Sequence, residues 1–264
     1  GGLKKLEYRG YDSAGIAVLQ NGKIEIRRDA GKIDHLETLI TQEPLEGNLG
    51  IGHTRWATHG APNMQNAHPH ISSNGEIVIV HNGIVENYLS LREELSAEGA
   101  VFRSETDTET IVLLIEHYYA VTQDLVRAVQ ETLKRIKGAH GIVVMSSREP
   151  DKLVAARLGN AGGVAIGRGS GEIFIASDLP AIVEHTHEIA FLDSEQIAVV
   201  QKEGLILQTL DGKPIEPVWN TIPWDPVSAE KGRYRHFMQK EIHEQVRSLS
   251  DTMVGRIDFD DYRI

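Results

Sequence analysis

Two runs open the chain's pattern of apolar and polar positions, Ala14 to Leu19 and Lys23 to Arg28, and they flank Gln20-Asn21-Gly22. Both lean towards β-structure, and Asn-Gly supplies the positive backbone angles of a tight turn, so the stretch predicts a β-hairpin. A short helical pattern follows over Lys32 to Thr41, then a strand over Asn48 to His53 and a buried strand over Ile77 to Val80. Asn87 stands where an N-cap belongs for a helix over Tyr88 to Ala97, with Gly99 as its stop. Thr108 to Tyr119 and Asp124 to Lys137 have helical periodicity, the first apolar nearly all round and the second amphipathic.

From Gly141 the period changes to that of strands: 141–146, 153–157, 163–166, 172–176, 196–201 and 205–209, with a short helix predicted over Asp178 to Glu184. Strands at both ends with helices between them predict an α+β sandwich in layers, not a doubly wound parallel sheet. After Asp211-Gly212-Lys213 the texture becomes rich in proline and tryptophan, and Phe237 to Val254 reads as one amphipathic helix. The expected division is a domain over 1–215, and over 216–264 a connector with the opening of a further module. At the other end Leu3 and Leu6 are spaced as in the last turns of an amphipathic helix with nothing to cap its start, which predicts residues upstream of Gly1.

Composition narrows the function. With 264 residues, 41% of them hydrophobic, the chain can bury a substantial core. The formal net charge of −11 opposes binding to a phosphate backbone, so nucleic acid is not an expected partner. No apolar run approaches the roughly 18 residues that span a bilayer, so no membrane is expected either. There is no cysteine, which fits a reducing, cytoplasmic compartment and removes disulfides and thiolate metal sites. Twelve histidines leave an imidazole site open, but no His-Glu-x-x-His pair occurs, and neither a metal nor a cofactor is expected.

Four polar motifs, three of them bearing glycine, carry the chemistry: 8–15, His53-Thr54-Arg55-Trp56-Ala57-Thr58-His59-Gly60, 81–87 and 104–109. The Arg55 guanidinium can grip a carboxylate through paired hydrogen bonds, or make a structural ion pair. Trp56 reads as packing or as part of a loop with Thr58 and His59 that closes over a substrate, hinged near Gly60 and Pro62. Asn82-Gly83, directly after an apolar strand, reads as a hairpin turn or as two donors of an oxyanion hole. Asp107, among Ser104, Thr106 and Thr108, reads as a helix cap or as the anion for a substrate ammonium. Arg9-Gly10 ahead of Asp12-Ser13-Ala14-Gly15 reads as a helix exit or a packed backbone approach. Gly167-Arg168-Gly169-Ser170-Gly171 has no following Lys-Ser/Thr and predicts a turn between strands.

In order and wording the set resembles the glutaminase domains of class II amidotransferases. The segments Trp56 to Gly60 and Tyr234-Arg235-His236-Phe237-Met238-Gln239-Lys240-Glu241-Ile242 are similar to the branch that makes glucosamine-6-phosphate. The resemblance implies an α+β fold of four layers, αββα, of the N-terminal-nucleophile hydrolase type. It implies hydrolysis of L-glutamine and delivery of the ammonia to fructose-6-phosphate, in a homodimer completed by a sugar-phosphate isomerase module. Arg55 would bind the glutamine carboxylate, Asp107 its ammonium, and Asn82 with Gly83 the oxyanion. Trp56, Thr58 and His59 would form the lid, and Arg9 with Gly10 would line the pocket of an N-terminal cysteine. This sequence contains no such cysteine, so the chain alone is expected to be inactive. Gly159-Asn160-Ala161-Gly162-Gly163 departs from the family's Gly-Ser-Pro-Leu. Glutaminase domains of amidophosphoribosyltransferases and asparagine synthetases share part of the pattern, and a non-catalytic glutamine-binding module is the remaining alternative.

Overall fold

The computed structural model describes residues 1–7, 12–202, 204–222, 234 and 237–253. The chain divides into two compact units, Gly1–Pro223 and Trp224–Ile264. In the second, the described element is helix α6, Phe237–Met253, which leaves Met238, Ile242, Val246 and Leu249 exposed.

The described residues of the first unit form three antiparallel sheets. One joins β2 (Lys23–Ala30), β1 (Ser13–Gln20) and β3 (Gly50–Arg55) in that order. The largest runs β13 (Pro214–Ile215), β12 (Gly204–Thr209), β11 (Gln196–Gln201), β7 (Lys152–Leu158), β6 (His140–Ser146), β5 (Ile77–Gly83), β4 (His70–Ile71). The third has the order β14 (Asn220–Thr221), β10 (Glu188–Phe191), β8 (Ala165–Arg168), β9 (Ile173–Ala176).

Strand β5 shows why the layers stack as they do. Ile77, Val78, Ile79 and Val80 are all buried, and a strand that is apolar on both faces must be covered on both. Ile77 and Ile79 pack with Ile142, Val144 and Val154 under α3 (Tyr88–Ala97), α4 (Asp107–Thr122) and α5 (Leu125–Arg135). Val78 and Val80 face the other way, towards Ala17 and Ile51 of the β2-β1-β3 sheet. The third sheet lies on the same side, with Val164 and Ile166 against Ala155 and Ala198. Outermost, Ile33 and Leu36 of α2 (Ile33–Gln42) and Leu3 of α1 (Gly2–Lys5) pack on Ala14. The result is helix, sheet, sheet, helix. Each fully buried Ile or Leu in these interfaces contributes about 1.5–3 kcal/mol.

The hairpin forms at the predicted turn, with Gln20 paired to Lys23 and positive φ at both Asn21 and Gly22. Gly167–Gly171 spans the turn between β8 and β9, closed by Gly169 N–H donating to Glu172 O. Several expectations are corrected. The helix over Asp178 to Glu184 reduces to one 3-10 turn, Leu179–Ala181, capped by the Asp178 carboxylate on the Leu179 N–H. Strands β4, β10, β13 and β14 have two to four residues and no alternation long enough to read. Asn87 does occupy the N-cap position of α3, but its side chain bonds the Arg135 carbonyl and the Lys137 N–H instead.

Candidate active site

The C-terminal ends of β3 and β5 and the first turn of α4 converge on a cleft of about 620 Å³. Arg55, Trp56, Thr58, His59, Asn82, Gly83 and Asp107 all line it, together with His53, His68, His81 and Thr108. Arg9 and Gly10 lie outside the described residues.

Asn82-Gly83 is not a turn. Both residues continue β5, Asn82 opposite Gly141 and Gly83 opposite His140 of β6. By alternation Asn82 lies on the Val78–Val80 face, between the sheets, while His81 lies under α4. Gly83 has φ +133°, and a Cβ there would stand 2.2 Å from the Ala139 carbonyl oxygen. Only glycine fits this position. A Cβ on Gly15 would likewise fall 2.2 Å from the His68 carbonyl oxygen, so the bare backbone of β1 lets the segment before β4 cross it.

Asp107 does not cap α4. Thr106 holds that position and accepts from the Glu109 N–H at 3.3 Å. Asp107, one residue inside, is thereby freed for the cleft: Oδ2 accepts from the Val85 N–H at 2.8 Å, and Oδ1 stands 3.9 Å from His59 Nδ1. Asp107 is only 4% exposed, so its carboxylate is aimed, not solvated.

Arg55 ends β3 on the same face as Ile51 and His53. Its guanidinium donates to the carbonyls of His59, Gly60 (3.1 Å) and Ala61 (3.4 Å) and lies 3.6 Å from Asp12 Oδ1. Burial lowers its pKa from the ordinary value, while Asp12 and Asp107 oppose the shift. With five N–H bonds in a planar fork, it can wrap the loop and keep donors for a carboxylate. The loop is also held at its far side: Asn66 Nδ2 donates to the Ala61 carbonyl and Glu105 Oε2, and Asn66 Oδ1 accepts from the Glu105 N–H. Trp56 is 69% exposed, so it is not a packing residue here.

Against the cleft lies a layer of histidines, of which His53, His68 and His81 line it. Thr108 Oγ1 joins His68 Nε2 (3.0 Å) and His81 Nδ1 (2.9 Å); His81 Nε2 meets His140 Nδ1 (3.0 Å); His140 Nε2 meets the Lys137 carbonyl (3.1 Å). His53 stacks on His68 at 4.4 Å and reaches Asn82 Oδ1 with Nε2 at 3.1 Å. Burial pushes His68 and His81 well below the usual imidazole value, lowers His140, and takes His70 to about 3. Among the described residues no group of three or more His, Cys, Asp or Glu converges as metal ligands would. Asn66, Glu105 and Thr108 carry no sequence signal for these roles, because each acts on a partner about 40 residues away.

Residues 40–210 match the glutamine amidotransferase domain family, and the chain belongs to it. It is 48% identical over 257 residues to a glutamine–fructose-6-phosphate aminotransferase (isomerizing) of Symbiobacterium thermophilum, covering 97% of this chain and 42% of that protein. The Aquifex aeolicus protein of the same name is 46% identical over 261 residues, covering 99% of this chain and 43% of its own length. The chain thus spans less than half the length of these relatives. Among solved structures, the glutamine phosphoribosylpyrophosphate amidotransferase from B. subtilis superposes with a TM-score of 0.69 at 24% identity, over 79% of this chain and 45% of that one. A class-II glutamine aminotransferase domain protein from Silicibacter pomeroyi gives 0.53 at 16% identity, over 74% and 90%. The fold is the αββα sandwich of the N-terminal-nucleophile hydrolases.

Proposed function

We propose that this chain is the glutamine-hydrolysing part of an isomerising glutamine:fructose-6-phosphate amidotransferase. The observation that carries the reading is the convergence of a buried anion, a buried cation and an amide beside a bare glycine on one cleft. Arg55 takes the α-carboxylate of L-glutamine and Asp107 its α-ammonium, which fixes the side-chain amide near Asn82 and Gly83. There the carbonyl oxygen gains negative charge as a nucleophile adds, and donors already in place stabilise it without reorganising. Trp56, Thr58 and His59 close over the bound amino acid, with the loop already anchored on Arg55. Closure excludes water from the adduct.

The reaction needs a nucleophile. The family resemblance assigns it to an N-terminal cysteine, with Arg9 and Gly10 lining its pocket, and no cysteine occurs in this sequence. The chain therefore supplies binding and oxyanion stabilisation and does not turn over glutamine alone. In the full-length protein the thiolate would form an acyl-enzyme, ammonia would leave, and water would release glutamate. Ammonia would pass to fructose-6-phosphate, giving glucosamine-6-phosphate, in a cytoplasmic homodimer; the residues from 216 onward would lead into the isomerase module. The identities of 46–48% with proteins of that name support this acceptor over phosphoribosyl pyrophosphate or aspartate.

The test is glutamate release from glutamine by this chain and by the full-length protein that carries it. The chain should stay at background and the full-length protein should hydrolyse glutamine and, with fructose-6-phosphate, make glucosamine-6-phosphate. Turnover by the chain, or product only with phosphoribosyl pyrophosphate, would contradict the proposal.

A further inference from the structure

An oxyanion hole that uses a side-chain amide has a weakness. The carboxamide of asparagine is nearly symmetric in shape, and rotation by 180° would present Oδ1, not Nδ2, to the oxyanion. A carbonyl dipole pointing at a forming negative charge would raise the barrier instead of lowering it. Something must hold Asn82 one way round, and the described contact on its amide oxygen is His53 Nε2, at 3.1 Å.

We propose that His53 is a positioning residue: its Nε2–H donates to Asn82 Oδ1 and so keeps the Asn82 Nδ2–H₂ turned into the cleft. The inference rests on the glutaminase reading above and adds to it a residue that acts through the Asn82 amide. Asn82 and His53 sit on facing strands, β5 and β3, so the contact spans the gap between the two inner sheets. That places the control of the amide on rigid backbone rather than on the loop.

The histidine layer fixes the rest of the arrangement, and its proton positions follow from a single anchor. A backbone carbonyl can only accept, so His140 carries its proton on Nε2, facing Lys137 O. A neutral His140 then offers a bare Nδ1, and His81 must donate to it from Nε2. His81 Nδ1 is in turn bare and accepts the one hydroxyl proton of Thr108. Thr108 Oγ1 therefore accepts from His68 Nε2–H, which leaves His68 Nδ1 bare, and that atom has no hydrogen-bond partner in the described structure. The burial of His68 and His81 favours these neutral forms. His68, locked at one nitrogen, presents its ring face to His53 with an interplanar angle of 28°. It is the wall that keeps the His53 ring in the plane from which Nε2 meets Asn82.

Two measurements test this. The first needs no activity: the imidazole nitrogen spectrum of this chain at pH 7.5. The account expects a proton on Nε2 of His53, His68, His81 and His140. A neutral His53 with a bare Nε2 would overturn the proposal, because Asn82 would then have to donate to it. The second uses steady-state glutamine hydrolysis by the full-length protein. His53→Leu should lower kcat roughly 10²-fold, the order seen when an oxyanion donor is lost, with KM for glutamine little changed. His53→Gln, which keeps an N–H at similar reach, should recover most of that loss. Asn82→Ala/His53→Leu should be no slower than Asn82→Ala alone, since His53 acts through the amide. Multiplying losses in the double variant, or a His53→Leu effect confined to KM, would overturn the proposal. Full activity in Asn82→Ala would instead overturn the oxyanion reading on which it rests. Should His53→Leu fail to fold, the nitrogen spectrum and His53→Gln decide the matter.

Discussion

The two walls of the cleft are built on opposite plans. One consists of the end of β5, the start of α4 and the start of β6, where Asn82, Gly83 and Asp107 are held by a strand register, a backbone N–H and a layer of buried imidazoles. The other is the loop from Trp56 to Ala61, whose tryptophan is mostly in solvent and whose carbonyls are gathered on one guanidinium. In the proposed reaction the donors that must already point at a developing charge would sit on the first wall, where reorganisation is expensive, and the groups that open and close around an amino acid on the second. Transition-state stabilisation would then fall to Asn82 and Gly83, and ground-state binding to Arg55 with its loop, joined by Asp107 from the first wall.

Substitution at the rigid wall should have the largest effect. Gly83→Ala forces a Cβ to 2.2 Å from the Ala139 carbonyl at φ +133°. Overpacking and left-handed strain together should cost about 2–5 kcal/mol, read by urea unfolding, with the glutaminase activity of the full-length protein lost as well. A well-folded, active G83A protein would show that this wall yields more than its packing implies.

Acid should weaken the same wall selectively. The pKa values of His68, His70, His81 and His140 are depressed in the folded protein, so below about pH 6.5 the unfolded chain binds more protons. Stability is complete above that pH and falls as the pH drops towards the folded values, about 3 for His70. Each such histidine contributes up to about 1.4 kcal/mol per pH unit across its window. Urea midpoints at pH 7.0 and 5.5 measure the slope, and a flat profile would mean that the imidazoles are solvated.

On the loop side, Arg55→Lys in the full-length protein should raise KM for glutamine roughly ten- to a hundredfold, the loss of a charged, forked contact, and leave KM for the sugar phosphate alone. Trp56→Ala should be the mildest: unfolding free energy within about 0.5 kcal/mol of the parent, as befits an exposed side chain, with a few-fold rise in KM for glutamine. Equal effects of Arg55→Lys and Trp56→Ala on KM would erase the distinction between anchor and lid.

These walls were unequally legible in the sequence. The hairpin around Asn21-Gly22 and the apolar strand from Ile77 to Val80 announce themselves, because each is specified within a few residues. Asn82-Gly83 does not. The same dipeptide that turns a chain at 21–22 continues a strand at 82–83, and the choice is made by pairing with Gly141 and His140, nearly 60 residues on. Asp107 was ambiguous for a similar reason: Thr106 takes the cap, and only the position of the Val85 N–H gives the carboxylate another task. The motif wording named Arg55, Asn82, Gly83 and Asp107. It gave no hint that His53, a residue of the same motif as Arg55, reaches the Asn82 amide, since that contact exists only when two sheets stack.

The division of labour between the amide that meets the oxyanion and the charges that grip the amino acid is tested most directly by steady-state glutamine hydrolysis in the full-length protein, with Asn82→Ala measured beside Asp107→Asn. Asp107→Asn keeps an oxygen for the Val85 N–H and removes the charge that would meet the substrate ammonium. The account predicts that Asn82→Ala lowers kcat by roughly 10²–10³ with KM nearly unchanged, and that Asp107→Asn acts chiefly by raising KM. A loss in Asn82→Ala that falls on KM, with Asp107→Asn indistinguishable from the parent, would contradict it.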